Sequence, residues 1–135
     1  MKLSIYRKGK TYELEQFINN SGIKEKFDYN AHFIFVAKQG NKILFVNAYR
    51  IEDAFGEIIP RFIHIILADE IKRSRKAIEL MLKAEKVLKL LQYKKTFAYI
   101  NFDRQDMAEL AMKFGYKKSK SDNKATYYFK NIGGK

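Results

Sequence analysis

The run from Ile58 to Leu67, Ile-Ile-Pro-Arg-Phe-Ile-His-Ile-Ile-Leu, constrains this chain more than any other stretch. It lacks the polar alternation of a strand with one face in water, so it reads as a strand covered on both faces and central in its sheet. Pro60 has no amide to donate and belongs at the strand's start. Soon after comes a strongly basic turn, Lys72-Arg73-Ser74-Arg75-Lys76. From Ser74 onward the apolar positions Ala77, Leu80, Met81, Ala84, Val87, Leu88 and Leu91 keep the helical period. Glu79 with Lys83, and Glu85 with Lys89, stand four apart on the other face of that helix.

The flanking elements extend this pattern. Leu3 to Tyr6 alternates as a first strand and is stopped by Lys8-Gly9-Lys10. Thr11 is placed to cap a helix carrying Leu14, Phe17 and Ile18 inward, with Asn20 and Gly22 as the stop. His32 to Ala37 and Lys42 to Tyr49 are rich in β-branched and aromatic residues and flank Gln39-Gly40-Asn41, which makes them a hairpin. A turn follows at Asp53 to Gly56. Beyond the long helix, Thr96 to Ile100 reads as a fifth strand, and Asp103 to Phe114 as a helix with Met107, Leu110, Ala111 and Phe114 inward, ended by Gly115. Tyr116 to Lys118 and Ala125 to Lys130, joined by the polar turn Ser119 to Asn123, close the chain as a last hairpin.

No linker, internal repeat or low-complexity segment interrupts the 135 residues, a length that buries one core. The expectation is one domain over 1–135, of α/β (α+β) class, with a central mixed, mostly antiparallel sheet of about six to seven strands flanked by helices.

The absence of cysteine rules out a disulfide framework, a thiolate nucleophile and a cysteine zinc site. With His32 and His64 as the only soft ligands, no metal is expected. Met1 to Arg7 lacks the apolar stretch of a signal peptide, and no run approaches the ~18 apolar residues of a membrane span, so a cytoplasmic protein without membrane contact is expected. The 27 Lys and Arg against 15 Asp and Glu leave a net charge of +12, a field that attracts nucleic acid, phosphorylated cofactors, acidic proteins or anionic lipid. The same charge also describes a lysine-rich solvated surface.

The basic turn is where that field acquires chemistry. The first amides of a helix have no intrahelical partner, and the helix dipole adds partial positive charge there. Lys72, Arg73, Arg75 and Lys76 surround that point and are unfavourable beside a positive dipole end unless an anion joins them. A bound anion, such as a phosphate group, is therefore the expected partner of the turn.

Here the chain resembles a family. Strand, helix, hairpin, central strand, basic turn, long helix, strand, helix and a Gly-aromatic closing follow the order of the GNAT N-acetyltransferases over nearly the whole sequence. The family's cofactor motif, Arg/Gln-x-x-Gly-x-Gly/Ala, falls on Lys72-Arg73-Ser74-Arg75-Lys76-Ala77, and its closing signature on Ala111 to Tyr116. The resemblance implies acetyl transfer from acetyl-CoA to an amine, and with it a CoA-type anion at the turn. It also implies that the backbone of Ile65, Ile66 and Leu67 pairs with the pantetheine arm and that Lys72 to Ala77 hold the pyrophosphate. Arg104, by register, stands at the family's asparagine after the fifth strand and joins the cofactor-contacting set. The base such chemistry needs falls to Glu57, just before the apolar core of the central strand, or to His64 within it on the face of Phe62 and Ile66. Each has a structural alternative: a loop carboxylate for Glu57, and for His64 a packed ring whose nitrogen finds a backbone partner.

Two departures stand in the motifs. Arg75 fills the glycine position where phosphate approaches the backbone, so the cofactor sits differently or is excluded. Ala111 takes the place of the tyrosine that protonates the leaving thiolate, which implies reduced catalysis. A second reading keeps the fold and abandons the chemistry. It rests on similarity, in the basic helix start, Phe114-Gly115 and the tail Phe129 to Lys135, to small GNAT-like virion or assembly proteins of short-tailed phages, and implies a virion-associated protein with phage structural partners. A third, nucleic-acid binding, draws on the net charge and on Tyr116-Lys117-Lys118 with Tyr127-Tyr128-Phe129-Lys130.

Overall fold

The computed structural model describes residues 2–6 and 11–133. The strand stop expected at Lys8-Gly9-Lys10 and the extreme tail lie outside the described residues. The elements follow the order β1 (Lys2–Tyr6), α1 (Tyr12–Ser21), β2 (Phe33–Gln39), β3 (Lys42–Ala54), β4 (Glu57–Leu67), a 3-10 turn (Asp69–Ile71), α2 (Arg75–Leu90), β5 (Lys95–Asn101), α3 (Gln105–Lys113), β6 (Lys117–Ser121) and β7 (Ala125–Asn131). The seven strands form one sheet in the order β1-β2-β3-β4-β5-β7-β6, so β4 is central as its composition requires. The strand pairs with recorded register are antiparallel except β4 with β5, which is parallel. None of the described helices is long and apolar enough to cross a membrane.

Two compact parts are distinguished, one built from residues up to Arg50 with Ile63–Ala84, the other from Ile51–Phe62 with residues from Glu85 onward. In the first, Thr11 caps α1 as its sequence position suggests, its hydroxyl accepting the Leu14 amide at 3.2 Å. Leu14 and Ile18 of α1 pack with Ile34, Val36, Val46 and Ala48. The β2/β3 register pairs Ile34 with Ala48 and Val36 with Val46, which sets those four on one face. Tyr49 stands edge-on to Phe35, 5.9 Å between centroids, and its hydroxyl meets the Met81 sulfur of α2 at 3.3 Å. Helices therefore cover both faces of β2 and β3, and burial runs unbroken from Ile43 to Tyr49.

In the second part β7 pairs with both β5 and β6. Phe97 faces Phe129 and Tyr99 faces Tyr127 across β5 and β7, and Phe55 leans on Tyr127 with centroids 4.6 Å apart. The closing signature at Ala111–Tyr116 takes a definite form. The Gly115 amide donates to Met112 O and the Tyr116 amide to Ala111 O while Gly115 adopts φ +96, a Schellman closure of α3.

Three expectations are corrected. Ile58, assigned to a doubly covered strand, is 61% exposed at the N-terminal end of β4. Leu91, assigned to the buried stripe of α2, is 49% exposed, because the helix closes there: Gln92 turns to φ 78 and the Tyr93 amide reaches back to Leu88 O. Glu85, assigned to the solvated face beside Lys89, is 5% exposed.

Candidate active site

The basic turn is shaped by the segment before it. β4 ends at Leu67, the Ala68 amide still donates to Leu44 O at 2.9 Å, and the 3-10 turn buries Ile71 as an apolar plug. Ser74 then acts twice: its hydroxyl donates to Ile71 O at 3.1 Å and accepts the Lys76 amide at 3.2 Å. It is thus the N-cap of α2, so one of the free amides that a helix start offers to an anion is used by the chain itself. Ala77 turns into the core at 3% exposure, while Lys72, Arg73, Ser74, Arg75 and Lys76 are all exposed.

The two acids before the turn are both engaged. Asp69 pairs with Lys72 at 3.1 Å, and Glu70 pairs with Lys42, whose ammonium holds the Glu70 carboxyl below the usual carboxylate range. The first turn of α2 carries no acid. Among the described residues Arg73, Arg75 and Lys76 have no carboxylate partner. The donor set fits a phosphate or diphosphate: three uncompensated cations at the positive end of a 16-residue helix.

His64 is 5% exposed, its ring stacked on Phe27 at 4.5 Å. The Asp28 amide donates to Nε2 at 3.0 Å, which puts the ring proton on Nδ1, and Nδ1 lies 3.5 Å from a Glu25 carboxylate oxygen. With the Nε2 lone pair occupied, this histidine holds the Phe27–Tyr29 segment against β4 instead of presenting a base. Asn47 ties into the same strand through the His64 carbonyl at 3.1 Å. Ile65 and Ile66 bury their side chains and Leu67 does so in part.

Glu57 and Arg104 belong to the second part of the molecule. Glu57 is exposed at the first position of β4, and Lys95 holds its carboxylate at 2.9 Å. Arg104 sits at the N-cap of α3 with its guanidinium folded onto Asp106, Nε to Oδ1 at 3.1 Å and Nη2 to Oδ2 at 3.3 Å, and this contact lowers the Asp106 carboxyl. Tyr116 is buried with its hydroxyl on Thr96 Oγ1 at 2.7 Å, and Tyr99 donates to Asp122 at 2.5 Å, which raises the phenol.

No family model matches the sequence, and no curated protein matches it either. Solved structures do. A GNAT-family acetyltransferase from Desulfovibrio desulfuricans, described as putative, superposes with a TM-score of 0.73 at 11% identity, covering 97% of this chain and 99% of that one. The chain has the GNAT N-acetyltransferase fold. The PaiA N-acetyltransferase of Thermoplasma acidophilum, solved in complex with coenzyme A, aligns with a TM-score of 0.59 at 16% identity over 73% of this chain. PH1933 of Pyrococcus horikoshii OT3 aligns with a TM-score of 0.58 at 19% identity, also over 73%. This chain spans 59% of the PaiA chain and 64% of PH1933.

The GNAT order of elements was readable in the sequence, but one buried cluster was not. Lys130 Nζ donates to Glu85 Oε1 at 2.9 Å and to the Phe114 carbonyl at 2.6 Å. Burial raises the Glu85 carboxyl and the Lys130 ammonium pulls it back only in part. The one available signal was the helical frame: Glu85 follows Met81 by four and precedes Leu88 by three, inside the buried stripe.

Proposed function

We propose that this chain binds acetyl-CoA through the turn Lys72–Ala77 and the Ile65–Leu67 backbone, and works as an N-acetyltransferase of reduced catalytic power toward an amine. The observation that carries this reading is the set of Arg73, Arg75 and Lys76, exposed and without carboxylate partners at the head of α2 in a GNAT fold. The bound thioester would supply an activated acetyl group. The chain's own contribution is to grip phosphate with the forked donors of Arg73 and Arg75 and to present strand amides at Ile65 to Leu67. Arg75 takes the room of the motif glycine, so the diphosphate rests against a guanidinium and further from the backbone.

Reduced chemistry follows from the proton-handling groups. His64 Nε2 accepts a backbone amide, Glu57 is held by Lys95, and Ala111 has no hydroxyl. General acid–base assistance is worth ~10²–10⁴ in rate, and a site relying on positioning alone runs slower by about that factor. Titration calorimetry with acetyl-CoA is the test, followed by thiol release with a panel of amines. Binding that weakens about tenfold in Arg73→Gln/Arg75→Gln supports the assignment. Absence of heat at millimolar acetyl-CoA overturns it. Tighter binding in Arg75→Gly identifies the guanidinium as an obstruction instead of a clamp.

A further inference from the structure

The uncompensated cations at the head of α2 have an acid close by that could cancel one of them. Glu70 stands three residues before Arg73. Bonds from the Ile71 amide to Ala68 O, from the Lys72 amide to Asp69 O and from the Ser74 amide to Ile71 O carry a three-residue turn through to Ser74. In such a turn the side chains at i and i+3 eclipse one another. The neighbouring pair shows the result, since Asp69 reaches Lys72 at 3.1 Å over the same spacing. By that geometry Glu70 belongs on Arg73. It lies instead on Lys42, the first residue of β3, and Lys42 is its one cation partner among the described residues. The Ala68 amide, bonded to Leu44 O at 2.9 Å, docks the turn beside the start of β3, and buried Ile71 keeps it there. That docking is what brings Lys42 within range of Glu70.

We infer that Lys42 is a positioning residue for the basic turn: it holds the Glu70 carboxylate away from Arg73 and so keeps the cations of the turn free for diphosphate. The inference rests on the reading that Lys72–Ala77 grip the diphosphate of acetyl-CoA. Lys42 itself touches no ligand in this role. What it controls is where one negative charge lies. Without Lys42 the Glu70 carboxylate falls to the cation three residues ahead, and a diphosphate then has to displace it from Arg73. Both side chains are well exposed, 64% for Lys42 and 48% for Glu70, so water screens the pair and the effect is small. Exposed pairs of this kind shift an equilibrium about two- to fivefold.

Calorimetry with acetyl-CoA and with inorganic pyrophosphate on the full chain is the test. Lys42→Gln should weaken both ligands about two- to fivefold, and Lys42→Arg should bind as the parent does. Lys42→Gln/Glu70→Gln should recover the parent affinity. Lys38→Gln removes the same charge from another exposed pair, with Glu13, and should leave binding unchanged. A carboxyl NMR titration of Glu70 reads the same event without a ligand. That carboxyl, held low by Lys42 in the parent, should stay low in Lys42→Gln because Arg73 takes it over, and rise in Lys42→Gln/Arg73→Gln. Parent affinity in Lys42→Gln, no recovery on adding Glu70→Gln, or an equal loss in Lys38→Gln overturns the inference. So does a Glu70 carboxyl that rises as far in Lys42→Gln as in Lys42→Gln/Arg73→Gln. Absence of heat with both ligands in the parent overturns the diphosphate reading instead, and the titration then decides alone whether Lys42 keeps Glu70 off Arg73.

Discussion

The ends of α2 and α3 close by the same hydrogen-bond pattern with different residues. At α3, Gly115 takes φ +96 and the Tyr116 amide reaches Ala111 O; at α2, Gln92 takes φ 78 and the Tyr93 amide reaches Leu88 O. Glycine enters the left-handed region without strain, whereas a glutamine there meets its own Cβ, at a cost of about 1 kcal/mol. The α3 end has a second reason for glycine. A Cβ on Gly115 would stand 3.2 Å from Lys130 Cε, on the stem that carries the ammonium to Phe114 O and Glu85. One closure is therefore a plain chain reversal. The other is part of a buried polar lock joining α2, the exit of α3 and β7.

That contrast can be broken most severely at Lys130. Lys130→Met leaves the Glu85 carboxylate buried without its cation and should destabilise the fold by about 3 kcal/mol at pH 8, read from denaturant unfolding. The pH dependence carries a definite sign. Glu85 holds its proton to higher pH when folded than when unfolded, so its contribution is fully favourable below the unfolded value and falls as pH rises through the raised native one. Removing Lys130 raises the native value further, so the variant should recover stability between pH 8 and pH 5 relative to the parent. An unchanged gap across that window would show that the lock is not ionic.

Gly115→Ala tests the backbone half of the lock. It should cost about 1–2 kcal/mol from the left-handed φ, with the flexible lysine stem yielding to the new methyl. Gln92→Gly makes the α2 end resemble the α3 end and should stabilise by about 0.5–1 kcal/mol in the same unfolding assay. A loss in that variant would mean the Gln92 side chain has a role beyond the turn. Smallest of all is Leu91→Lys, within about 0.5 kcal/mol of the parent, because Leu91 is 49% exposed once the helix has closed. A cost of several kcal/mol would restore Leu91 to the core stripe its spacing suggests.

Legibility followed the range of the deciding interaction. The β2/β3 hairpin, the Thr11 cap and the Gly115 closure are settled by residues a few positions apart, and their residue types announce them. The α2 end is not legible because Gln92 gives no signal of a left-handed turn, and the apolar period runs on through Leu91. The candidate site divides in the same way. The cations of the basic turn are visible in the sequence. The state of the expected base was not, since His64 is satisfied by Asp28, 36 residues away.

Periodicity, caps and the doubly apolar β4 were enough, by themselves, to determine the element order, the central strand and a basic helix start, because each depends on local propensity and on the need to bury one face. Tertiary structure alone decided which charges are free. Lys130 and Arg73 are equal as cations in the sequence, yet one is spent on Glu85 from 45 residues away and the other has no carboxylate partner among the described residues. Ion pairing depends on distances of a few ångströms between segments remote in the chain, and only the packed fold sets those distances.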